Sequence, residues 1–113
     1  MKSDRIYLLH IRDAIARIAE YTREGKKVFF AHPMVQDAVV RNVELIGEAV
    51  KNISDPLKSS HPTVPWKRIA GMRDKMIHEY FGVNLQLVWE VVEKDLPELN
   101  SAVKSILQGL SDS

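Results

Sequence analysis

A chain of 113 residues has the length of one domain, and its 45% hydrophobic and 27% charged residues are typical of a globular protein with a single small core. The sequence holds no cysteine, which excludes disulfides, thiolate metal sites and cysteine nucleophiles, and no run approaches the ~20 apolar residues of a membrane span. The net charge of +1 excludes a generally basic nucleic-acid coat, so any RNA binding must come from a local patch.

The beginning of the sequence gives a first indication of the compartment. The first residues lack the apolar core and the small-residue cleavage site of a signal peptide. A chain without cysteine suits a reducing cytoplasm. We therefore expect a soluble, cytoplasmic protein whose single domain spans residues 1–113 and ends in a polar tail at about 108–113.

The first predicted helix runs from about Asp4 to Glu24, where Gly25 provides a C-terminal stop. Its apolar residues recur at spacings of three and four, which gives one stripe along the helix. We expect a short turn to follow, with the two aromatic side chains Phe29 and Phe30 packed on the core.

The second predicted helix is long, from Pro33 to about Ile53, and has its proline at the first position, where the missing N–H costs nothing. Its apolar residues cover nearly half of the circumference, which leaves room for a partner subunit beside the core. Asn42 lies inside this arc. A buried amide without hydrogen-bond partners costs roughly 1–3 kcal/mol, so Asn42 is either a satisfied or register-setting core amide or an amide aimed into a site.

Residues 54–65 form the one predicted connector, which is rich in proline and has room for a single helical turn after Pro56. A third main helix is expected from Pro65 to about Phe81, where Gly82 supplies another stop. No alternation of polar and apolar residues is long enough to suggest a sheet.

The last part of the chain predicts further helix. Asn84 is a good N-cap for a fourth helix that reaches about Lys94. Asp95 and Pro97 restart or kink this helix, which then continues to about Leu107. Four to five helices joined by short loops predict an all-α, antiparallel bundle.

The third predicted helix carries the side chains of chemical interest. Arg73 falls inside its apolar arc, where a guanidinium is seldom found unless it meets a carboxylate, a phosphate or a polar cleft. His78 lies on the other side of the helix, four residues from Asp74, whose carboxylate is expected to orient or charge the imidazole. Three further basic side chains form either an RNA-guiding patch or a solvated face: Lys67, Arg68 and Lys75.

Arg73 and His78 pose a geometric problem. Five residues on a straight helix are about 140° apart, so the two side chains do not share a face. Either the long arginine side chain wraps round the helix, or a second copy of the chain completes the site. Helical geometry leaves both alternatives open.

These residues resemble the signature of a known family. Arg73, His78 and Tyr80 match the Arg-x4-His-x-Tyr motif of the HEPN superfamily, specifically of HepT-like toxins. The resemblance extends over about residues 4–107. The segments that look most like this family, apart from the motif, are residues 41–49, 65–66, 81–84 and 96–97.

The resemblance implies a four-to-five-helix bundle of HEPN type that forms a symmetric homodimer, with the motif in a cleft between protomers. It implies a metal-independent endoribonuclease without a cofactor, the toxin of a toxin–antitoxin pair. The implied antitoxin is a minimal nucleotidyltransferase, which silences the toxin by transferring AMP to Tyr80. The expected partners are therefore RNA, this cognate antitoxin and a second copy of the chain, with no membrane involved.

The residues of the motif suit the implied chemistry. Metal-free RNA cleavage needs a base for the 2′-hydroxyl, an acid for the leaving 5′-oxygen and cationic donors for the charge on phosphorus. We therefore expect His78 to transfer protons and Arg73 to bind the phosphate, with Asp74 and Asn42 in support. One motif supplies one histidine, and a symmetric dimer supplies two.

A non-catalytic alternative stays open. A helical module that binds nucleotide or protein, and pairs with a nucleotidyltransferase, would have the same fold. The intact arginine, histidine and tyrosine of the motif favour the enzyme. Tyr80 alone is equally compatible with a core aromatic residue whose hydroxyl reaches the surface. The three remaining histidines show no metal-ligand spacing, so no zinc site is expected: His10, His32 and His61.

Overall fold

The computed structural model describes residues 3–78 and 82–112, and for residues 77, 78, 111 and 112 it describes the backbone alone. The described chain is mostly helical. Its elements follow in the order α1 (Asp4–Tyr21), α2 (Lys26–Ala31), α3 (Pro33–Asn52), α4 (Asp55–Ser60), α5 (Trp66–Ala70), α6 (Met72–Met76), β1 (Ile77–His78), β2 (Gly82–Val83), α7 (Leu85–Glu90), a π-helical turn (Val91–Asp95) and α8 (Leu96–Asp112).

Helices α1 and α3 form the centre of the fold and run antiparallel. Asp4, at the start of α1, accepts hydrogen bonds from the N–H and the hydroxyl of Ser54, just beyond α3, at 2.8 and 2.6 Å. Arg17, near the end of α1, binds Asn42 in the middle of α3. The apolar stripes of the two helices are buried between them and against α8, as their spacing predicts. Fully buried members of the two stripes include Leu8, Ile11, Val39, Val43 and Ile46, and Val103 of α8 is fully buried as well.

The region after α1 differs from the prediction in detail. Helix α1 ends at Tyr21, and a turn leads to Gly25, whose φ of 96° lies in the left-handed region that favours glycine. The expected turn after Gly25 is the short helix α2. Phe29 is buried as expected, but Phe30 is 37% exposed, because adjacent residues of a helix do not share one face.

Helix α3 and the connector agree with the prediction. Pro33 occupies the first turn of α3, and Ile53 caps its C-terminal end. The connector contains one short helix, α4. The hydroxyl of Ser54 caps α4 by accepting from the N–H of Leu57 at 3.4 Å.

The prediction of one continuous third helix is wrong. Instead of one helix from Pro65 to Phe81, the chain forms α5 and α6 with a turn at Gly71 between them. The carbonyl of Gly71 accepts from the N–H of Asp74 at 3.2 Å, a three-residue bond that tightens the turn. A glycine inside a helix is about 1 kcal/mol less favourable than alanine, which allows this break.

A short hairpin follows α6 where the sequence analysis expected no strand. Strands β1 and β2 pair antiparallel, with Ile77 opposite Val83 and His78 opposite Gly82. Gly82 has a φ of 74°, again in the left-handed region. Ile77 and Val83, the residues paired at one end of the hairpin, are β-branched, a type that favours strands.

Asn84 ends the hairpin and begins the next helix. Its N–H donates to the carbonyl of Met76 at 2.7 Å, which satisfies the last carbonyl of α6. Its side-chain oxygen accepts from the N–H of Leu87 at 3.1 Å. The predicted N-cap is therefore confirmed.

The predicted kink near Asp95 and Pro97 is a change of helix type. A proline has no N–H and its ring clashes with the carbonyl four residues earlier, so the π-helical turn directly before α8 accommodates Pro97 without a break. Helix α8 continues to Asp112, so the expected polar tail is helical through residue 112. No helix in the described ranges is long and apolar enough to span a bilayer.

Candidate active site

The candidate site lies where α3 crosses the end of α5. Gly47 of α3 is buried there, and a Cβ on it would lie 3.3 Å from the carbonyl oxygen of Ala70. The missing side chain therefore lets the two backbones approach closely. Glu44 lies about one turn before Gly47, and Arg73 follows Ala70 by three residues, so this crossing brings their side chains together.

Arg73 is held between two carboxylates and remains half exposed. Its Nε lies 3.5 Å from Oε2 of Glu44, and its Nη1 lies 3.5 Å from Oδ1 of Asp74. Nη1 of Arg41 approaches the same oxygen of Glu44 at 3.9 Å. The guanidinium thus meets a carboxylate, one of the three environments that its place in the sequence required. With 54% of its side chain exposed, part of Arg73 faces solvent.

His78 lies in β1, outside the helix that carries Arg73. The angle of about 140° between the two does not apply, because α6 ends at Met76. The helical spacing on which the expected contact between Asp74 and the imidazole rests is lost for the same reason, so that contact stays a prediction; Asp74 lies beside Arg73. The side chain of His78 and the whole of Tyr80 lie outside the described residues.

Asn42 is 5% exposed, and both ends of its amide are hydrogen-bonded. Its Oδ1 accepts from Nε of Arg17 at 2.8 Å, and its Nδ2 donates to the carbonyl of Ala38 at 2.8 Å. These bonds meet the cost of burying a polar group. They also bind Asn42 to α1 and to its own helix, and they do not bring it to Arg73, so a role in the site stays a prediction.

The basic patch divides into two kinds of side chain. Lys67 and Lys75 are exposed, and neither forms an ion pair with any residue of the described chain. Arg68 is paired through Nη2 with the carboxylate of Asp95, in the π-helical turn. The guanidinium of Arg68 therefore also connects α5 to the π-helical turn that precedes α8.

Glu44, the carboxylate that reaches Arg73 from another helix, was not predicted from the sequence. Gly47 could have indicated that another element crosses α3 near Glu44, since a glycine in the middle of a long helix often marks a close approach of another backbone. Among the described side chains, no group of three or more His, Asp or Glu residues is arranged to hold a metal ion.

A model of the family described as "Ribonuclease HepT-like" matches residues 11–106, which include α3 and the whole motif segment. The chain belongs to the HepT-like ribonuclease family. The family expected from Arg73, His78 and Tyr80 is thereby confirmed, and with it the enzyme class, a ribonuclease.

Several curated relatives of this HepT-like chain are similar over nearly its full length. A Caldanaerobacter subterraneus protein named "Putative RNase" is 48% identical over 109 residues, which cover 96% of this chain and 97% of the relative. "Probable ribonuclease HepT" of Thermococcus cleftensis is 42% identical over 106 residues, or 93% and 96% of the two chains. The "Gamma-glutamylcyclotransferase and putative RNase" of Methanocaldococcus jannaschii is 44% identical over 110 residues, 96% of this chain and 50% of that protein. No solved structure matches the chain.

Proposed function

We propose that this HepT-like protein is a metal-independent endoribonuclease that cuts RNA around Arg73 and His78, in a cleft between two copies of the chain. The main support is the guanidinium of Arg73, which lies beside the carboxylates of Glu44 and Asp74 while 54% of the side chain stays exposed. A planar, permanently charged group held in this way suits a phosphodiester better than a flexible lysine does.

The proton transfers belong to His78. An imidazole takes the proton of the 2′-hydroxyl, whose oxygen attacks phosphorus, and the bond from phosphorus to the 5′-oxygen breaks as that oxygen receives a proton. Arg73 stabilises the negative charge that builds up on the phosphate oxygens in between. The products are a 2′,3′-cyclic phosphate and a 5′-hydroxyl end.

A dimer is proposed because of the number of histidines, and the helical angle no longer supports it. The helical angle between Arg73 and His78 no longer requires a second chain, because α6 ends at Met76. The number of histidines still favours it, since one imidazole as base and another as acid need two copies of the motif. Lys67 and Lys75 then guide the RNA backbone towards the shared cleft, with Arg68, Asp74 and Asn42 in lesser roles.

The nuclease is, in this proposal, a cytoplasmic toxin whose antitoxin is a minimal nucleotidyltransferase. The match of Tyr80 to the last position of the motif supports this regulation. AMP on Tyr80 places a bulky anion two residues from His78, where it blocks the cleft and repels incoming phosphates.

The nuclease activity is tested with purified protein and RNA in excess EDTA. We expect the wild type to cut the RNA, and His78→Ala and Arg73→Ala to be slower by at least about 10²-fold. Circular dichroism and sedimentation of the same samples check that helicity and dimerisation are kept. Equal inertness of all three proteins would instead support the non-catalytic module, and unfolding of both variants would mark the two residues as structural.

The silencing is tested separately with Tyr80→Phe. This variant keeps the ring and loses the oxygen that accepts AMP, so it should stay toxic when the nucleotidyltransferase is co-expressed. Mass spectrometry of both proteins shows whether AMP is added. Addition of AMP to the phenylalanine variant would contradict the assignment of Tyr80.

A further inference from the structure

We infer that Glu44 is the positioning residue of this site, the group that holds the guanidinium of Arg73 in the orientation in which it binds a phosphate. The inference rests on the proposed ribonuclease function and adds a residue from α3 to it. Its basis is the contact between Oε2 of Glu44 and Nε of Arg73 at 3.5 Å.

The contact uses the part of Arg73 that a phosphate does not need. Nε lies at the inner end of the guanidinium, so a carboxylate there restricts rotation of the planar group. Nη1 lies 3.5 Å from Oδ1 of Asp74, a carboxylate that is itself 78% exposed, and 54% of the Arg73 side chain is exposed to solvent. The outer edge of the guanidinium therefore stays available to an anion, and phosphates are bound by such edges.

Arg73 needs a contact from outside its own segment. Helix α6 has five residues and lies between the turn at Gly71 and the hairpin, so its local structure gives little support to a long side chain. Asp74 is a weak holder because its side chain is 78% exposed and directly adjacent in the chain. A rigid neighbouring element has to provide the orientation.

Glu44 meets this requirement. It belongs to the 20-residue α3, and its side chain is only 27% exposed. Arg41, three residues earlier on the same helix, places a second positive charge 3.9 Å from the same carboxylate oxygen. The close approach at Gly47 fixes the distance between α3 and the end of α5. The core of the protein is thereby connected to Arg73 through one carboxylate.

The contact between Glu44 and Arg73 could also lower the activity of the enzyme, which is the opposite of what positioning does. A carboxylate beside Arg73 competes with a phosphate for the guanidinium, and a pure competitor would inhibit the enzyme. The contact on Nε and the partial neutralisation by Arg41 favour positioning. The direction of the change in kcat on removal of the carboxylate separates the two effects.

The kinetic test uses Glu44→Ala, Glu44→Gln and the control Glu48→Ala in the full-length protein. Glu48 is exposed, lies one turn further along α3, and forms no ion pair within the described part of the chain.

With a short RNA substrate we expect Glu44→Ala to lower kcat about tenfold and to change KM less than about threefold. Glu44→Gln, which keeps an acceptor oxygen, should recover most of this loss, and Glu48→Ala should stay within about twofold of the wild type. A rise in kcat for Glu44→Ala, or equal losses for Glu44→Ala and Glu48→Ala, would overturn the inference.

A second readout does not depend on cleavage. The side-chain Nε–H resonance of Arg73 in a ¹⁵N-labelled sample is assigned by its loss in Arg73→Lys. We expect it to shift in Glu44→Ala and to keep its position in Glu48→Ala. If the wild type cuts no RNA but this resonance shifts, the proposed function fails and the link between Glu44 and Arg73 stands. If the resonance does not move, the inference about Glu44 fails whatever the activity.

Discussion

Two regions of the molecule are rich in apolar side chains: the pair of helices α1 and α3, and the segment of residues 66–84. Different features of the sequence determine their structures. The long helices have one buried stripe each, and the stripes meet over many turns. The later segment changes between helix, turn and strand within a few residues. Its conformation is set by single residues, among them Gly71, Gly82 and Asn84.

The difference matters for the function, because the candidate site combines both regions. Glu44 comes from the regular part and Arg73 and His78 from the irregular part. A regular helix keeps a side chain in place through many packed neighbours. A short segment of turns can bring an arginine and a histidine close in the chain onto different elements, which one straight helix does not allow.

The largest expected effect separates the stability of the regular region from the chemistry of the irregular one. Ile11 of α1 is fully buried, so Ile11→Ala should lower the free energy of unfolding by roughly 2–5 kcal/mol through lost burial and a cavity. Arg73→Ala should lower it by less than about 1 kcal/mol, because Arg73 itself is half exposed and both of its ion pairs are screened by solvent. Urea denaturation followed by circular dichroism measures both values.

Activity should respond in the opposite order. At a low temperature, where the folded state of both variants dominates, Ile11→Ala should keep most of the RNA cleavage and Arg73→Ala should lose it. If Arg73→Ala were as unstable as Ile11→Ala, Arg73 would belong to the structural framework, and the distinction between the two regions would fail.

The sequence predicts the regular region well for a physical reason. A stripe with a period of 3.6 residues has only one face to bury, so the pattern itself selects a helix, as α1 and α3 show. The N-cap at Asn84 is equally local and was predictable. The hairpin was not, because its pairing depends on Gly82 meeting His78, and no periodic pattern links these two residues. The contact of Glu44 with Arg73 depends on how closely two helices cross, which no local pattern encodes.

An intermediate effect is expected from two glycines, one in the irregular segment and one in the long helix α8. Gly82 has a φ of 74°, so Gly82→Ala should lower the free energy of unfolding by roughly 1–2 kcal/mol through backbone strain, since an added Cβ meets no atom of a more distant described residue within 4 Å. At Gly109, in α8, an added Cβ likewise meets no more distant described residue, and Gly109→Ala should raise the free energy of unfolding by about 0.5 kcal/mol.

These two changes are chemically identical, so their opposite signs would isolate the effect of the backbone conformation. RNA cleavage should fall for Gly82→Ala, because Gly82 pairs with His78 in the hairpin. It should be unchanged for Gly109→Ala. A stable and fully active Gly82→Ala variant would mean that the hairpin does not set the geometry of His78.

The smallest expected effect concerns the ion pair between Arg68, in the irregular segment, and Asp95, in the π-helical turn. Asp95→Ala releases Arg68 from its partner and should change the free energy of unfolding by less than about 1 kcal/mol, as for other exposed pairs. A released Arg68 has its full charge available for a phosphate, so we expect KM for RNA to fall about twofold.

The control is Glu93→Ala, which removes one exposed negative charge from the same π-helical turn. Because both variants change the net charge equally, only the difference between their KM values reports on Arg68. Equal KM values would remove Arg68 from the RNA path, and a higher KM for Asp95→Ala would mean that Asp95 holds Arg68 where RNA needs it, as Glu44 is proposed to hold Arg73.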